Sequence, residues 1–217
     1  PSVAPFGGSA ARVGSNPICL AMPRNNFLDP LILDFATSKV AVGKIRAAIN
    51  TNQRLPDGWV IDHSGRPSND PKVLEQHIYP TEKSAVEEGA VLPMGGHKGY
   101  GLSMFCEILG GILSGGQTIQ PGNVRLGGVV NNMTAIIIDP EKLVSNATFQ
   151  NELSDLIDYV VSSPPADTEH PVIVPGESER SQMKYRSEKG IEIDSKTFSQ
   201  IINAAESLGI ERSIFVQ

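Results

Sequence analysis

Between Pro93 and Gly116 the chain reads PMGGHKGYGLSMFCEILGGILSGG. Its first part, Gly95-Gly96-His97-Lys98-Gly99-Tyr100-Gly101, sets glycines around one histidine and one lysine. Glycine carries no Cβ, so backbone there can come close to a ligand. The apolar run that follows, with Leu102, Met104, Phe105, Ile108, Leu109, Ile112 and Leu113, predicts a buried helix. A helix starting just after such a loop aims free N–H groups at the loop's contents and favours an anion. Lys98 adds a mobile positive charge at the same place. The chemistry is that of a phosphate- or carboxylate-binding loop. The alternative is a tight turn with a solvated lysine, since glycine punctuation commonly marks turns and close packing. The spacing is neither G-x-x-x-x-G-K-[ST] nor G-x-G-x-x-G after a strand.

A second candidate is Asp34, at the end of the β-like run Leu31-Ile32-Leu33 and just before a predicted helix start. Strand ends that lead into helices are common ligand positions in α/β sheets, although a cap or turn residue looks the same. No general base stands out. His63, His77, His97 and His170 have no metal-ligand spacing to one another or to the cysteines. There is no G-x-S-x-G elbow. Glu107, alone in an apolar helix, is expected to pair with a buried Lys or Arg. Cys19 and Cys106 sit in apolar sequence and read as buried thiols, which points to a reducing, cytoplasmic home. A net charge of −6 argues against a nucleic-acid footprint, which wants a basic face. No apolar run reaches membrane-spanning length, so no membrane contact is expected.

The elements that must position these residues follow from periodicity. Ile18–Met22 reads as a buried strand after the turn signal Asn16-Pro17, and Pro23–Asn26 as a turn. Thr37 or Ser38 is expected to cap a helix carrying Val40, Val42, Ile45, Ala48 and Ile49. Trp59-Val60-Ile61 is a short strand between turn clusters, and His63 falls in a turn. Residues 72–90 read as loop plus a helical turn, and residues 117–133 as a mobile connection. Thr134–Ile138 has the strongest strand pattern, apolar and β-branched, and is expected to be central in a sheet. Phe149–Ser163 predicts an amphipathic helix. Val172–Val174 and Gly190–Asp194 read as strands on either side of a charged, solvent-facing helix. Ser195–Leu208 predicts an amphipathic tail helix. Alternating strands and helices favour an α/β domain with a mostly buried sheet.

Several stretches together resemble one family. They are Pro5-Phe6-Gly7-Gly8; Gly14-Ser15-Asn16-Pro17, where that family usually has G-T-N-P; Leu33-Asp34-Phe35-Ala36-Thr37-Ser38; and Gly43-Lys44-Ile45. Pro56-Asp57-Gly58-Trp59, Asp62, Gly65, Asp70-Pro71, Leu92–Gly96, Lys98–Leu102 and Pro175-Gly176-Glu177 continue in the same order. The chain is similar to the malate/L-lactate dehydrogenase family of NAD(P)-dependent oxidoreductases, which includes ureidoglycolate, diketogulonate and sulfolactate enzymes. That family is distinct from the Rossmann-fold lactate and malate dehydrogenases.

The resemblance implies a three-layer α/β/α domain with a mixed sheet that binds NAD or NADP without a G-x-G-x-x-G loop. It implies cofactor contact from Asp34, Phe35 and Ala36, from His97 and Lys98 in the glycine loop, and from Pro175, Gly176 and Glu177. The implied reaction is hydride transfer between NAD(P)H and a small 2-oxo acid, or its 2-hydroxy counterpart, in a homodimer. In that family the proton-transferring histidine and the substrate clamp lie in an N-terminal region, and no histidine here aligns with it. The chain opens on Pro1 rather than methionine, so it is expected to be a segment of a longer chain or a processed one, with the catalytic residues upstream of Pro1. Residues 1–190 are then the cofactor-binding domain, and 191–217 a tail expected to pack on that upstream part. The rival is a non-catalytic remnant of the same fold; an anion-binding regulatory domain rests on the glycine loop alone.

Overall fold

Val3, Val13, Val60, Ile61 and Val91 are all β-branched, a composition that suits strands covered on both faces. In the computed structural model, which describes residues 1–25, 28–79, 88–123 and 130–215, they meet in one small sheet. Strand β3 (Val60–Ile61) lies between β4 (Pro67–Ser68) and β5 (Ala90–Val91), both antiparallel to it. Val3 then bridges to Val91 in parallel and to Val13 in antiparallel sense, so the pairing is mixed. All five residues are buried.

Helix α1 (Val42–Thr51) supplies Ile45, Ala48 and Ile49 to this core, the i, i+3, i+4 stripe that the sequence shows. Its cap differs from expectation. Ala41 precedes the first turn without a side-chain bond. Thr37 and Ser38 turn to other partners instead: the Thr37 hydroxyl donates to Ser15 O (3.0 Å) and the Ser38 hydroxyl to Val40 O (2.8 Å). After a 3₁₀ turn at Pro71–Leu74 capped by Asp70, and helix α2 (Glu75–Ile78), the chain reaches β5, the glycine loop and helix α3 (His97–Cys106). The predicted single helix does not stay α: Glu107–Leu113 winds as a π-helix, which ends before Gly115 (φ +75°). Nor is it buried as expected, since Phe105 and Ile112 are each more than half exposed. Helix α6 (Ser195–Ser207) joins this unit through Ile202 and Ala205, with Asp194 capping it and Asn50 donating to Thr197 (3.1 Å). Arg46 and Lys196 both sit over the Tyr79 ring, at 5.2 and 4.6 Å.

These elements form the first of two compact units, Pro1–Asn16, Ala36–Asn132 and Ile191–Gln217. The second comprises Pro17–Phe35 and Met133–Gly190. In it β1 (Ile18–Met22) and β2 (Leu31–Phe35) pair antiparallel, Ile18 opposite Phe35 and Met22 opposite Leu31. Both strands stand where the sequence placed them. They are not buried, however, and Cys19 is exposed rather than enclosed. Helix α4 (Asn146–Val161) is capped by Ser145, and α5 (Glu177–Lys189) is the expected charged, exposed helix.

The expected central strand at Thr134–Ile138 does not form, and Ile136, Ile137 and Ile138 are 78%, 94% and 66% exposed. Val172–Val174 and Gly190–Asp194 form no ladder either. A β-branched run states an environment that a residue fits, whereas a strand exists only through a partner's hydrogen bonds. Parts of three expected connections, at residues 26, 80–87 and 124–129, lie outside the described residues. Among the described residues no helix is long and apolar enough to cross a membrane.

Candidate functional site

In the first unit the site is built from the loop that precedes α3. Pro93 pairs with Ser38, and Met94 N donates to Thr37 O (2.9 Å). Gly95 and Gly96 then take φ of +57° and +63°, a conformation that costs an L side chain roughly 1–2 kcal/mol. That double left-handed turn folds the loop back so that Gly99 N reaches Met94 O (2.8 Å) and α3 begins at His97. Gly99 is buried, and a Cβ there would stand 2.7 Å from Thr37 O. This glycine is therefore required by the loop's own backbone at Met94, which that Cβ would meet first, and by the contact with the Ala36–Ser38 segment.

Lys98 rises from the first turn of α3, exposed, and among the described residues no carboxylate pairs with it. His97 is exposed beside it, its ring edge-on to Phe6 at 5.8 Å. Phe6, Gly7, Gly8, Lys39, Gly95 and Gly96 contribute to the wall of an open cleft of about 570 Å³. Phe6 and Lys39 were not among the sequence candidates. The turn signal Gly7-Gly8 marked the place but said nothing about what it faces.

The second unit gathers the other candidates. Asp34 lies exposed at the end of β2, opposite Cys19, with Phe35 next to it opposite Ile18. Ile32 N donates to Pro175 O at 3.2 Å, which ties the middle of β2 to the Pro175-Gly176 turn. Gly176 (φ +89°) is buried, and a Cβ on it would come within 3.2 Å of Ile32 N and O. Glu177 opens α5 and turns back on itself, Oε2 accepting from Val174 N (3.1 Å). Arg180, one turn on, donates to Pro30 O (3.0 Å) and meets the Asp29 carboxylate (3.3 Å). The structure thus assembles Asp34, Phe35, Pro175, Gly176 and Glu177 in one unit, and Ala36, His97 and Lys98 in the other.

Glu107 departs from expectation. No Lys or Arg pairs with it among the described residues. Its Oε1 accepts from the Asn16 amide (3.0 Å) and its Oε2 from Ile119 N (2.9 Å). Burial, with the neighbouring Glu107 charge adding to it, pushes the Cys106 thiol above its ordinary value, so this cysteine is held as an inert thiol. Among the described residues no cluster of His, Cys, Asp and Glu could hold a metal ion.

Within the first unit the loop suits an anionic group: close backbone approach is available at Gly95 and Gly96, and Lys98 is a cation that no carboxylate pairs with among the described residues.

Comparison with known proteins agrees with the motifs. Residues 1–202 match the malate/L-lactate dehydrogenase family. The chain is 37% identical over 213 residues to hydroxycarboxylate dehydrogenase B of Escherichia coli K12, covering 97% of this chain and 55% of that protein. It is 35% identical over 210 residues to an L-lactate dehydrogenase of Cupriavidus necator, covering 97% of this chain and 57% of that one. A solved structure from E. coli, described as a malate/lactate dehydrogenase, superimposes with a TM-score of 0.81 at 33% identity, covering 99% of this chain and 57% of that one. The chain spans about half the length of the curated relatives it matches. By the match over residues 1–202, the chain belongs to the malate/L-lactate dehydrogenase family.

Proposed function

We propose that this chain is the cofactor-binding part of an NAD(P)-dependent oxidoreductase that moves a hydride between the nicotinamide and the C2 carbon of a 2-oxo or 2-hydroxy acid. The bound nicotinamide would supply the redox chemistry. The residues of this chain bind and orient it. Lys98 neutralises an anionic part of the cofactor, with His97 beside it. Asp34, with Phe35 and Ala36, receives ribose hydroxyls at the strand end, and Pro175, Gly176 and Glu177 complete the set. The single observation that carries this is an exposed lysine, unpaired among the described residues, directly behind two left-handed glycines.

The substrate class is supported by the similar proteins, which include a hydroxycarboxylate and an L-lactate dehydrogenase. Under this reading residues 1–190 are the cofactor domain of a three-layer α/β/α fold and 191–217 its tail. The mixed pairing around Val91 is consistent with that. The reading extends to a homodimer in a reducing cytoplasm, in line with two free thiols.

Titration with NADH and, separately, NADPH tests it, followed by nicotinamide fluorescence and by the rise in melting temperature that binding to the folded state imposes. Saturable binding of one of them is expected. Lys98→Ala should weaken it by about tenfold to a hundredfold, the effect of losing one charge-assisted contact. An unchanged Kd would remove Lys98 from the site.

A further inference from the structure

Asn16 is the residue whose geometry the proposed function leaves unexplained. Its φ is +32°, a left-handed conformation for a residue other than glycine. Such conformations persist where the surroundings over-determine them. The side-chain amide supplies that determination. Nδ2 donates to Ser103 O and Ser103 Oγ (3.1 Å each) and to Glu107 Oε1 (3.0 Å). A carboxylate can only accept, so these partners fix which end of the carboxamide faces the helix. Room for it is made by Gly14, where a Cβ would come 2.6 Å from Asn16 Oδ1. Ser103 is buried, 1% exposed, and its hydroxyl also reaches Gly14 O (3.4 Å). Both oxygens of the Glu107 carboxylate are engaged, the other accepting from Ile119 N.

The anchored helix is α3, which begins at the proposed cofactor loop. Ser103 lies on it five residues after Lys98, and Glu107, nine residues after Lys98, opens the π-helical segment that continues α3. π-Helical turns inside helices are frequent at functional sites. From its other side Asn16 is tied to the same loop through backbone. Ser15 O accepts both Thr37 N (2.9 Å) and the Thr37 hydroxyl (3.0 Å). Thr37 O accepts Met94 N (2.9 Å), and Met94 O accepts Gly99 N (2.8 Å). Lys98 is thus held between two braces that meet at Asn16: one through Ser15, Thr37 and Met94, the other through Ser103 and Glu107.

We propose that Asn16, with Ser103 and Glu107, is a positioning residue for the cofactor's anionic part, fixing the angle at which α3 presents Lys98. This rests on the proposed cofactor role of Lys98. A solvated turn would not require a strained asparagine, a buried serine and a helix carboxylate to converge behind the loop. The donor and acceptor roles are also specific. Asn16→Asp would set a second carboxylate against Glu107 and against a carbonyl at nearly the same shape. Glu107→Gln in that background would return one donor to the pair with the roles reversed.

The experiment is a double-mutant cycle in the full-length protein, with NADH and NADPH as the probes and the melting temperature recorded for every variant. Asn16→Asp is expected to weaken binding by about tenfold or more, as the loss of a hydrogen bond to a charged group does. Adding Glu107→Gln should recover at least part of that loss. Combined with Lys98→Ala, Asn16→Asp should cost little further affinity, because residues acting through one contact are not additive. If the wild-type protein binds neither dinucleotide, the cofactor reading itself fails. If it binds and Asn16→Asp binds equally well, the positioning role is overturned. A loss that persists undiminished in the Lys98→Ala background would also overturn it, by showing a general effect on the fold. Should Asn16→Asp not fold, Ser103→Ala removes one acceptor at smaller disturbance and carries the same cycle to the same decision.

Discussion

Helices α1 and α4 have similar amphipathic spacing but opposite circumstances. In α1, Ile45, Ala48 and Ile49 are buried against Val3, Val60 and Val91. In α4, Leu153 and Ile157 are half-buried, while Leu156 and Val160 stay 59% and 46% exposed. The same contrast separates the two units. The first holds a core of β-branched and aliphatic side chains, several with no exposed surface. In the second, Gly176 is the one buried residue among those described. Amphipathic spacing therefore tells which face of a helix seeks cover, and the packing partner decides whether it finds any. The first unit is held by its core. The second is held by hydrogen bonds: a five-residue strand pair, the Ser145 cap of α4, the Glu177 bond to Val174 N and the Arg180 contacts.

The largest expected effect tests this division directly. Ile45→Ala removes a side chain that is 0% exposed, and it should cost about 2–5 kcal/mol in a urea unfolding experiment. Leu156→Ala in α4 should cost less than about 1 kcal/mol, because that side chain is 59% exposed and little of its surface leaves water. Equal losses at the two sites would break the comparison, since they would mean that the α4 face is covered in solution.

A smaller effect is expected at the junction of β2 with the Pro175-Gly176 turn. Gly176→Ala meets both a left-handed φ of +89° and backbone atoms of Ile32 at 3.2 Å. Arg180 can rotate away; a strand backbone cannot do so cheaply. The expected cost is about 1–3 kcal/mol. It should appear as faster hydrogen exchange at the Ile32 amide, which donates to Pro175 O. Unchanged exchange would mean that the second unit does not depend on this joint. In the first unit, Gly96→Ala has the same sign of φ but faces only the Phe6 ring at 3.3 Å, so steric cost there is relieved by a side-chain movement.

Local signals in this sequence were legible wherever the physics is local. The glycine loop, the start of α3, the strands β1 and β2 and the charged helix α5 all stand where residue types and spacing placed them. Lys98 and Asp34 could be named as candidates because a cation behind glycines and a carboxylate at a strand end are visible without any partner. What failed depended on distant residues. Thr134–Ile138 has the composition of a central strand, but composition does not name a neighbour to bond. Glu107 was expected to find a cation and instead bonds Asn16, ninety-one positions away in the chain. Thr37 was read as a cap because capping needs only the next few residues; its actual partner, Ser15, is twenty-two positions back.

The smallest effect concerns how α6 is held on the first unit, and it carries a pH signature. Asp194 caps the helix: Oδ2 accepts from the Thr197 hydroxyl (2.6 Å) and Oδ1 from Thr197 N (2.9 Å). The Thr197 hydroxyl bond, followed by the Thr197 N–H, holds this carboxyl below the ordinary value near 3.8. A carboxylate with a depressed folded-state pKa stabilises the fold at pH above its unfolded value, and that stabilisation disappears as pH falls through the folded value. Asp194→Ala should therefore lower the melting temperature by a few degrees at pH 7, the size expected for a lost N-cap in a chain of this length. The gap between wild type and variant should close as pH falls through and below about 4. Asp194→Asn, which keeps a capping oxygen without the charge, should fall between the two at pH 7 and lose the pH dependence. A gap that stays constant down to pH 3 would show that the carboxylate's charge contributes nothing and that the Asp194 cap acts through its hydrogen bonds to Thr197 alone.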